Sequence, residues 1–193
     1  MKYIKCLENF NINRQVMVDS NLTLMQALEG TSAPIEILKD IILINVEYLS
    51  MDKQLHRGQI LVNRTISDDV YEFFEILIKS NFIVEKVFPI VKYNWDDNRS
   101  MEDNNSSGFN YRKVEGQNKL SKHSYGKAID INPRWNPVYY SSGKISPMGA
   151  TRDVKRNGVF LPESQGVQFL KSRGWKWGGD WSSLKDWHHF QKD

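Results

Sequence analysis

Between Ile41 and Leu49 the chain alternates: Ile42, Ile44, Val46 and Tyr48 fall on one side, and Leu43, Asn45, Glu47 and Leu49 on the other. A period of two predicts a strand buried mainly on one face. Ser50-Met51-Asp52-Lys53 supplies a turn and Gly58 to Asn63 a second strand, which together predict a hairpin. The period then lengthens, with Val70, Phe73, Phe74, Leu77 and Ile78 at helical spacing. Thr65 with Asp68 predicts an acidic capping box at the start of this helix, and Asn81 its end. Phe82 to Tyr93 reads as a third extended segment, confined by Pro89 to an edge or a bulge.

Asn94 to Lys122 is a polar stretch of the kind that forms a long loop, and long loops in compact domains are often functional. Lys127 to Ile131 predicts a short strand ended by Asn132-Pro133. A further loop carrying Pro137, Gly143, Pro147 and Gly149 leads to a helix opened by Pro162 and stopped by Gly174. Trp175-Lys176-Trp177, a Gly178-Gly179 turn and a last strand at His188 to Gln191 complete the chain. Residues 1 to 33 are weakly periodic and read as an N-terminal arm or short helix packed on the domain formed by 34 to 193. The strands come in runs rather than as repeated strand-helix units. The expected class is therefore α+β: a central, mainly antiparallel sheet with helices on one face and a cleft on the other.

At 193 residues the chain has room for one domain. Hydrophobic residues make up 40% and charged residues 25%, ordinary globular usage that suggests neither disorder nor a membrane protein. The net charge of +3 is spread along the chain rather than massed, so no nucleic-acid partner is expected. No apolar run is long enough for a membrane span, and the N-terminus lacks the apolar core of a secretory signal. The single cysteine, Cys6, excludes an intramolecular disulfide.

Two segments carry candidate chemistry: Ser121-Lys122-His123-Ser124-Tyr125-Gly126-Lys127-Ala128-Ile129-Asp130 and Asp186-Trp187-His188-His189-Phe190-Gln191. Together they offer imidazoles and carboxylates enough to hold one zinc ion with a general base beside it. With three protein ligands, zinc keeps a position for water and lowers its pKa toward ~7. Gly126 lets the backbone bend between His123 and Asp130. On the strand, Asp130 alternates with Ile129 and Ile131, which point to the opposite face. A carboxylate in such apolar company is costly unless it is paired or bound to a cation. In an extended His188 to Gln191 segment His188 and His189 face opposite ways, and periodicity does not say which one meets the cleft.

These segments resemble the zinc peptidases of the D-alanyl-D-alanine carboxypeptidase and L-alanyl-D-glutamate endopeptidase family, which includes the VanY-like and vancomycin-resistance enzymes. The family pattern, Ser-x-His-x-x-Gly-x-Ala-x-Asp followed by acid-x-x-His, is complete at Ser121 to Asp130 and at Asp186 to His189. The likeness extends upstream through Trp95-Asp96-Asp97 to Arg112 and onward through Asn132-Pro133. The resemblance implies one zinc per chain, bound by His123, Asp130 and His189, with water on the metal as nucleophile. It implies Asp186 as the base that takes and later returns a proton, Arg112 as the stabiliser of the developing negative oxygen, and Ser121 as a substrate-binding residue. Several members use glutamate as the base, one methylene longer than Asp186, and aspartate resembles the endopeptidase branch. The implied substrates are peptidoglycan stem peptides, and the implied location is the cell envelope or outside the cell. A monomer is expected.

Other residues have plainer readings. Trp175, Trp177 and Trp181 read as packing before a stacking wall, Asp180 as a turn residue, and Asp96-Asp97 as a solvated or loop-ordering pair. His56 reads as a surface residue of the second strand. The competing function is a zinc-stabilised binding module of the same fold without turnover, against which the presence of Asp186 and Arg112 argues. A metal-dependent nuclease would want more carboxylates and a basic groove.

Overall fold

In this computed structural model residues 15–193 are described. Cys6 and the first part of the expected N-terminal arm lie outside the described residues. In chain order the elements are β1 (Met17–Val18), α1 (Leu24–Ala27), α2 (Ile35–Leu38), β2 (Ile41–Leu49), β3 (Leu55–Asn63), α3 (Ser67–Lys79), β4 (Lys86–Val87), α4 (Asp97–Glu102) and β5 (Asn105–Ser106). They continue with β6 (Ala128–Asp130), β7 (Val138–Tyr140), β8 (Ile145–Ser146), α5 (Gln165–Ser172), β9 (Lys176–Trp177), β10 (Leu184–Asp186) and β11 (His189–Gln191). The class is α+β.

The predicted hairpin forms, with β2 and β3 paired antiparallel from Ile41–Asn63 to Leu49–Leu55 and β1 added in parallel along β3. The expected single central sheet does not form. Among the described residues there are instead three three-stranded sheets, β1-β3-β2, β10-β7-β8 and β6-β11-β9, and a two-stranded parallel pair, β4-β5. The reason is local. Asn104 and Asn132 take positive φ of 52° and 49° beside β5 and β6, and Asn94 and Trp95 do the same before α4. Each such residue turns the chain out of the extended conformation after a few positions.

One amphipathic helix organises the main core. Val70, Phe73, Phe74 and Leu77 of α3 are buried against Ile44, Val46, Ile60 and Val62 of the hairpin and against Val167 and Leu170 of α5. Phe73, Phe160, Phe190 and Trp177 pack ring against ring in the same cluster, with centroids 5.0 to 6.3 Å apart for Phe73–Phe190, Phe160–Phe190 and Trp177–Phe190. Helices are not confined to one face. A second cluster of Ala27, Ile41, Leu61 and Phe109 sits on the other side of the hairpin and is covered by Ile37 and Leu38 of α2.

Several local expectations are corrected. Thr65 does not cap α3: Asn63 Oδ1 accepts both its backbone N–H and its hydroxyl, which winds Arg64–Ile66 into a 3-10 turn first. The extended segment expected over Phe82 to Tyr93 keeps only β4, because Ile90–Tyr93 tightens into a 3-10 turn after Pro89. The long loop from Asn94 to Lys122 contains α4, capped by Asp96 Oδ1 accepting from the Arg99 N–H at 3.1 Å, and β5. His56 is not a surface residue. Its side chain is 13% exposed, with Nδ1 2.9 Å from Asp19 and Nε2 3.2 Å from Asp52.

Candidate metal centre

His123 rides on a 3-10 turn, Lys122–Tyr125, that the sequence builds at both ends. The Ser121 hydroxyl accepts the His123 backbone N–H at 3.3 Å. Gly126 ends the turn at φ +64°, where a Cβ would lie 2.6 Å from the Asn63 backbone nitrogen. That approach is used: the Asn63 N–H donates to the Gly126 carbonyl at 2.9 Å, tying the turn to the end of β3. Asp130 ends β6, with Ile129 and Ile131 in the main core behind it as the alternation predicts. In the β6–β11 ladder Asp130 stands directly opposite His189.

The two imidazoles are oriented by their outer nitrogens. His123 Nδ1 lies 2.6 Å from the Gly108 carbonyl, which only accepts, so Nδ1 carries the proton and Nε2 keeps a lone pair. His189 Nε2 lies 3.0 Å from Gln191 Oε1, which leaves Nδ1 as the inner atom. The inner nitrogens are 3.2 Å apart. The Asp130 carboxylate is 3.1 Å from the first and 2.9 Å from the second. One donor atom from each of the three residues lies within 4.8 Å of the others, all of them buried. Three buried electron-pair donors thus converge, and a cation or added protons would reconcile them. Ligands ~2.1 Å from a tetrahedral zinc ion lie about 3.4 Å from one another, so the residues fit that ion. The outer hydrogen bonds are of the kind that fix tautomer and ring orientation at metal sites.

The electrostatics agree. Burial would raise the Asp130 carboxyl, but the charges of His123 and His188 and the hydrogen bonds from His123 and His189 outweigh it and hold it well below the usual range. Burial would lower His189, yet the hydrogen bond and charge of Asp130, followed by Asp186 and Gln191, push it up to about 9. Asp130 therefore stays anionic, as a metal ligand must.

Asp186 lies on another sheet. It ends β10, opposite Val138 of β7, and the short Trp187-His188 link carries the chain across to β11. Its Oδ1 is buried and has no hydrogen bond, although His188 Nε2 is 3.1 Å away, because the two are not aligned for one. Arg112 is held to the His123 turn by its backbone: its N–H donates to Ser124 Oγ at 2.9 Å and its carbonyl accepts the Ser121 N–H at 3.0 Å. Its guanidinium is 2.9 Å from Asp97, and its Nε is buried without a partner. Arg112, Ser121, His123, Asp130, Asp186 and His189 all line one cleft of about 640 Å³. Among the described residues, two of the four buried side-chain atoms left without partners thus belong to Asp186 and Arg112.

The three tryptophans divide. Trp175 and Trp177 are core residues, while Trp181 lines the cleft with its ring 5.3 Å from that of His189. Asp180 pairs with Lys171 at 2.7 Å beside its turn. Asp96 and Asp97 order the loop, as the second of the two readings had it, one capping α4 and the other holding Arg112. The orienting partners Gly108 and Gln191 carry no signal in the sequence, Gly108 because it acts through its backbone carbonyl.

The α+β fold thus brings two buried histidines and a buried carboxylate together at a cleft, a group that could hold a metal ion. Residues 115–192 match the model of the D-alanyl-D-alanine carboxypeptidase family. The match spans Ser121, His123, Asp130, Asp186 and His189, and Arg112 lies just outside it. No solved structure matches the chain.

Proposed function

We propose that this protein is a zinc peptidase that hydrolyses amide bonds of peptidoglycan stem peptides, of the D-alanyl-D-alanine carboxypeptidase or L-alanyl-D-glutamate endopeptidase type. The observation that carries the reading is the convergence of His123 Nε2, Asp130 and His189 Nδ1 on one point of a cleft that Asp186 and Arg112 also line. A bound zinc ion would polarise the scissile carbonyl and lower the pKa of a water at its open position.

The chain's own residues supply the rest. Asp186 lines the cleft, where its carboxylate would take a proton from the attacking water and return it to the leaving amine. Arg112, with a buried N–H unused in the resting protein, meets negative charge that appears on the substrate oxygen only during reaction. Ser121 forms part of the wall along which the substrate lies. This activity would place the protein in the cell envelope or outside the cell, and no described helix is long and apolar enough to cross a membrane.

The test is digestion of purified muropeptides with and without a chelator, read by mass spectrometry. Chelator-sensitive products are expected, and their masses identify the bond cut. Intact muropeptides in the presence of zinc would overturn the proposal.

A further inference from the structure

His188 is buried to 3% exposure between the two halves of the site. Its Nδ1 lies 2.7 Å from the Asn136 carbonyl, so Nδ1 carries a proton and the ring is pinned to the segment between β6 and β7. Its Nε2 is 3.1 Å from Asp186 Oδ1 and 3.9 Å from Asp130 Oδ2. His188 is not one of the converging donors formed by His123, Asp130 and His189. The metal group therefore leaves this third buried imidazole unused.

The backbone explains why such a ring is needed. Asp186 belongs to the β10-β7-β8 sheet, whereas Asp130 and His189 belong to β6-β11-β9. The link between them is held by the main chain, with the Ile131 N–H donating to the His188 carbonyl at 3.1 Å and the Trp187 N–H to the Pro137 carbonyl at 3.4 Å. No hydrogen bond fixes the Asp186 carboxylate itself. The edge of the His188 ring stands against its buried oxygen, with Nε2 3.1 Å from Oδ1.

We infer that His188 is a positioning residue for Asp186: anchored on Asn136, its ring backs Oδ1 and turns the other carboxylate oxygen, Oδ2, to the cleft at a fixed distance from the ligand group. This deepens the proposed function and rests on it for the role of Asp186, while the placement of the carboxylate stands on geometry alone. The position falls within the x-x of acid-x-x-His, so the motif assigns it nothing.

Two substitutions separate positioning from packing. Asparagine overlays Nδ1 and keeps the Asn136 anchor but leaves nothing against Asp186. Glutamine overlays Nε2 and keeps a polar group against Asp186 while losing the anchor. In His188→Asn, zinc per chain measured by elemental analysis stays at the wild-type value, KM for the cleaved muropeptide changes less than about threefold, and kcat falls by about 10- to 100-fold, the scale of a misplaced catalytic group. In His188→Gln, kcat recovers most of that loss. Crystal structures of the zinc-loaded variants supply a readout independent of turnover: Asp186 leaves its wild-type rotamer in the asparagine variant and keeps it in the glutamine variant, with His123, Asp130 and His189 unmoved.

Equal kcat in wild type and His188→Asn, a glutamine variant no better than the asparagine one, or an unmoved Asp186 overturns the inference. If wild type itself cleaves nothing, the proposed function fails. The Asp186 rotamer then still decides the placement.

Discussion

Within the site, each side chain has a separable task. Asp130 and His123 would hold the proposed metal, so Asp130→Asn is expected to reduce bound zinc to well below one per chain, measured by elemental analysis after dialysis. Asp186 is not a member of the converging donor group. Asp186→Ala is therefore expected to keep its zinc while losing turnover by about 10²- to 10⁴-fold, the usual contribution of a positioned base. Equal loss of zinc in the two variants would show that they act together as ligands. The two-residue logic at 123 and 130 was legible in the sequence, because Ile129 and Ile131 alternate with Asp130 and set its face. The choice between His188 and His189 was not legible in periodicity, and His189 was implied by the resemblance alone. Both are buried and both face a carboxylate, and only the pairing of β11 with β6 separates them.

Among the elements, long periodic ones were readable and short ones were not. The β2–β3 hairpin and α3 carry enough positions for a period to show, whereas β4, β5, β8 and β9 have two residues each and no period at all. The strand that bears Asp186, three residues long, was missed, although it sets the proposed base in place. Gly178 is part of how. A Cβ there would lie 2.4 Å from the Asp186 carbonyl oxygen and 2.7 Å from its Cβ. Gly178→Ala is expected to displace β10, costing about 1–3 kcal/mol in urea unfolding as overpacking does. It should lower kcat while zinc content stays unchanged, because the ligands lie on other elements.

The attachment of β1 has its own dependence on pH. Burial works against a charged His56 ring, but hydrogen bonds and charge from Asp19 and Asp52 outweigh it and raise its pKa above the ordinary value. A raised folded-state pKa stabilises the fold fully below the unfolded value of about 6.5 and ceases to do so as pH rises through the folded one. The difference in urea midpoint between wild type and His56→Gln should therefore be largest near about pH 6 and shrink with rising pH. A constant difference would assign His56 a packing role only.

For the molecule as a whole, the α+β class followed from strands arriving in runs, but the division into small sheets depended on asparagines at positive φ that carry no distinctive pattern. Helices on both sides of the hairpin were likewise hidden, since α1 and α2 have four residues each. The global consequence of the site is linkage. Metal that binds only the folded chain stabilises it by about 2.7 kcal/mol at a free concentration one hundred times Kd. Zinc is expected to raise the thermal midpoint and a chelator to lower it, with the shift absent in Asp130→Asn. A midpoint indifferent to zinc in the wild-type protein would count against the site.

Asp130 and His189 come from segments far apart in sequence, yet they meet as direct partners across one antiparallel ladder. Side chains alternate along such a ladder, so a slip of a single position would exchange His189 for a neighbour and send its ring to the wrong side. Only molecules zipped in the native alignment can present the complete trio. Zinc uptake in a refolding experiment would accordingly serve as a census, counting correctly assembled copies even before any substrate is supplied.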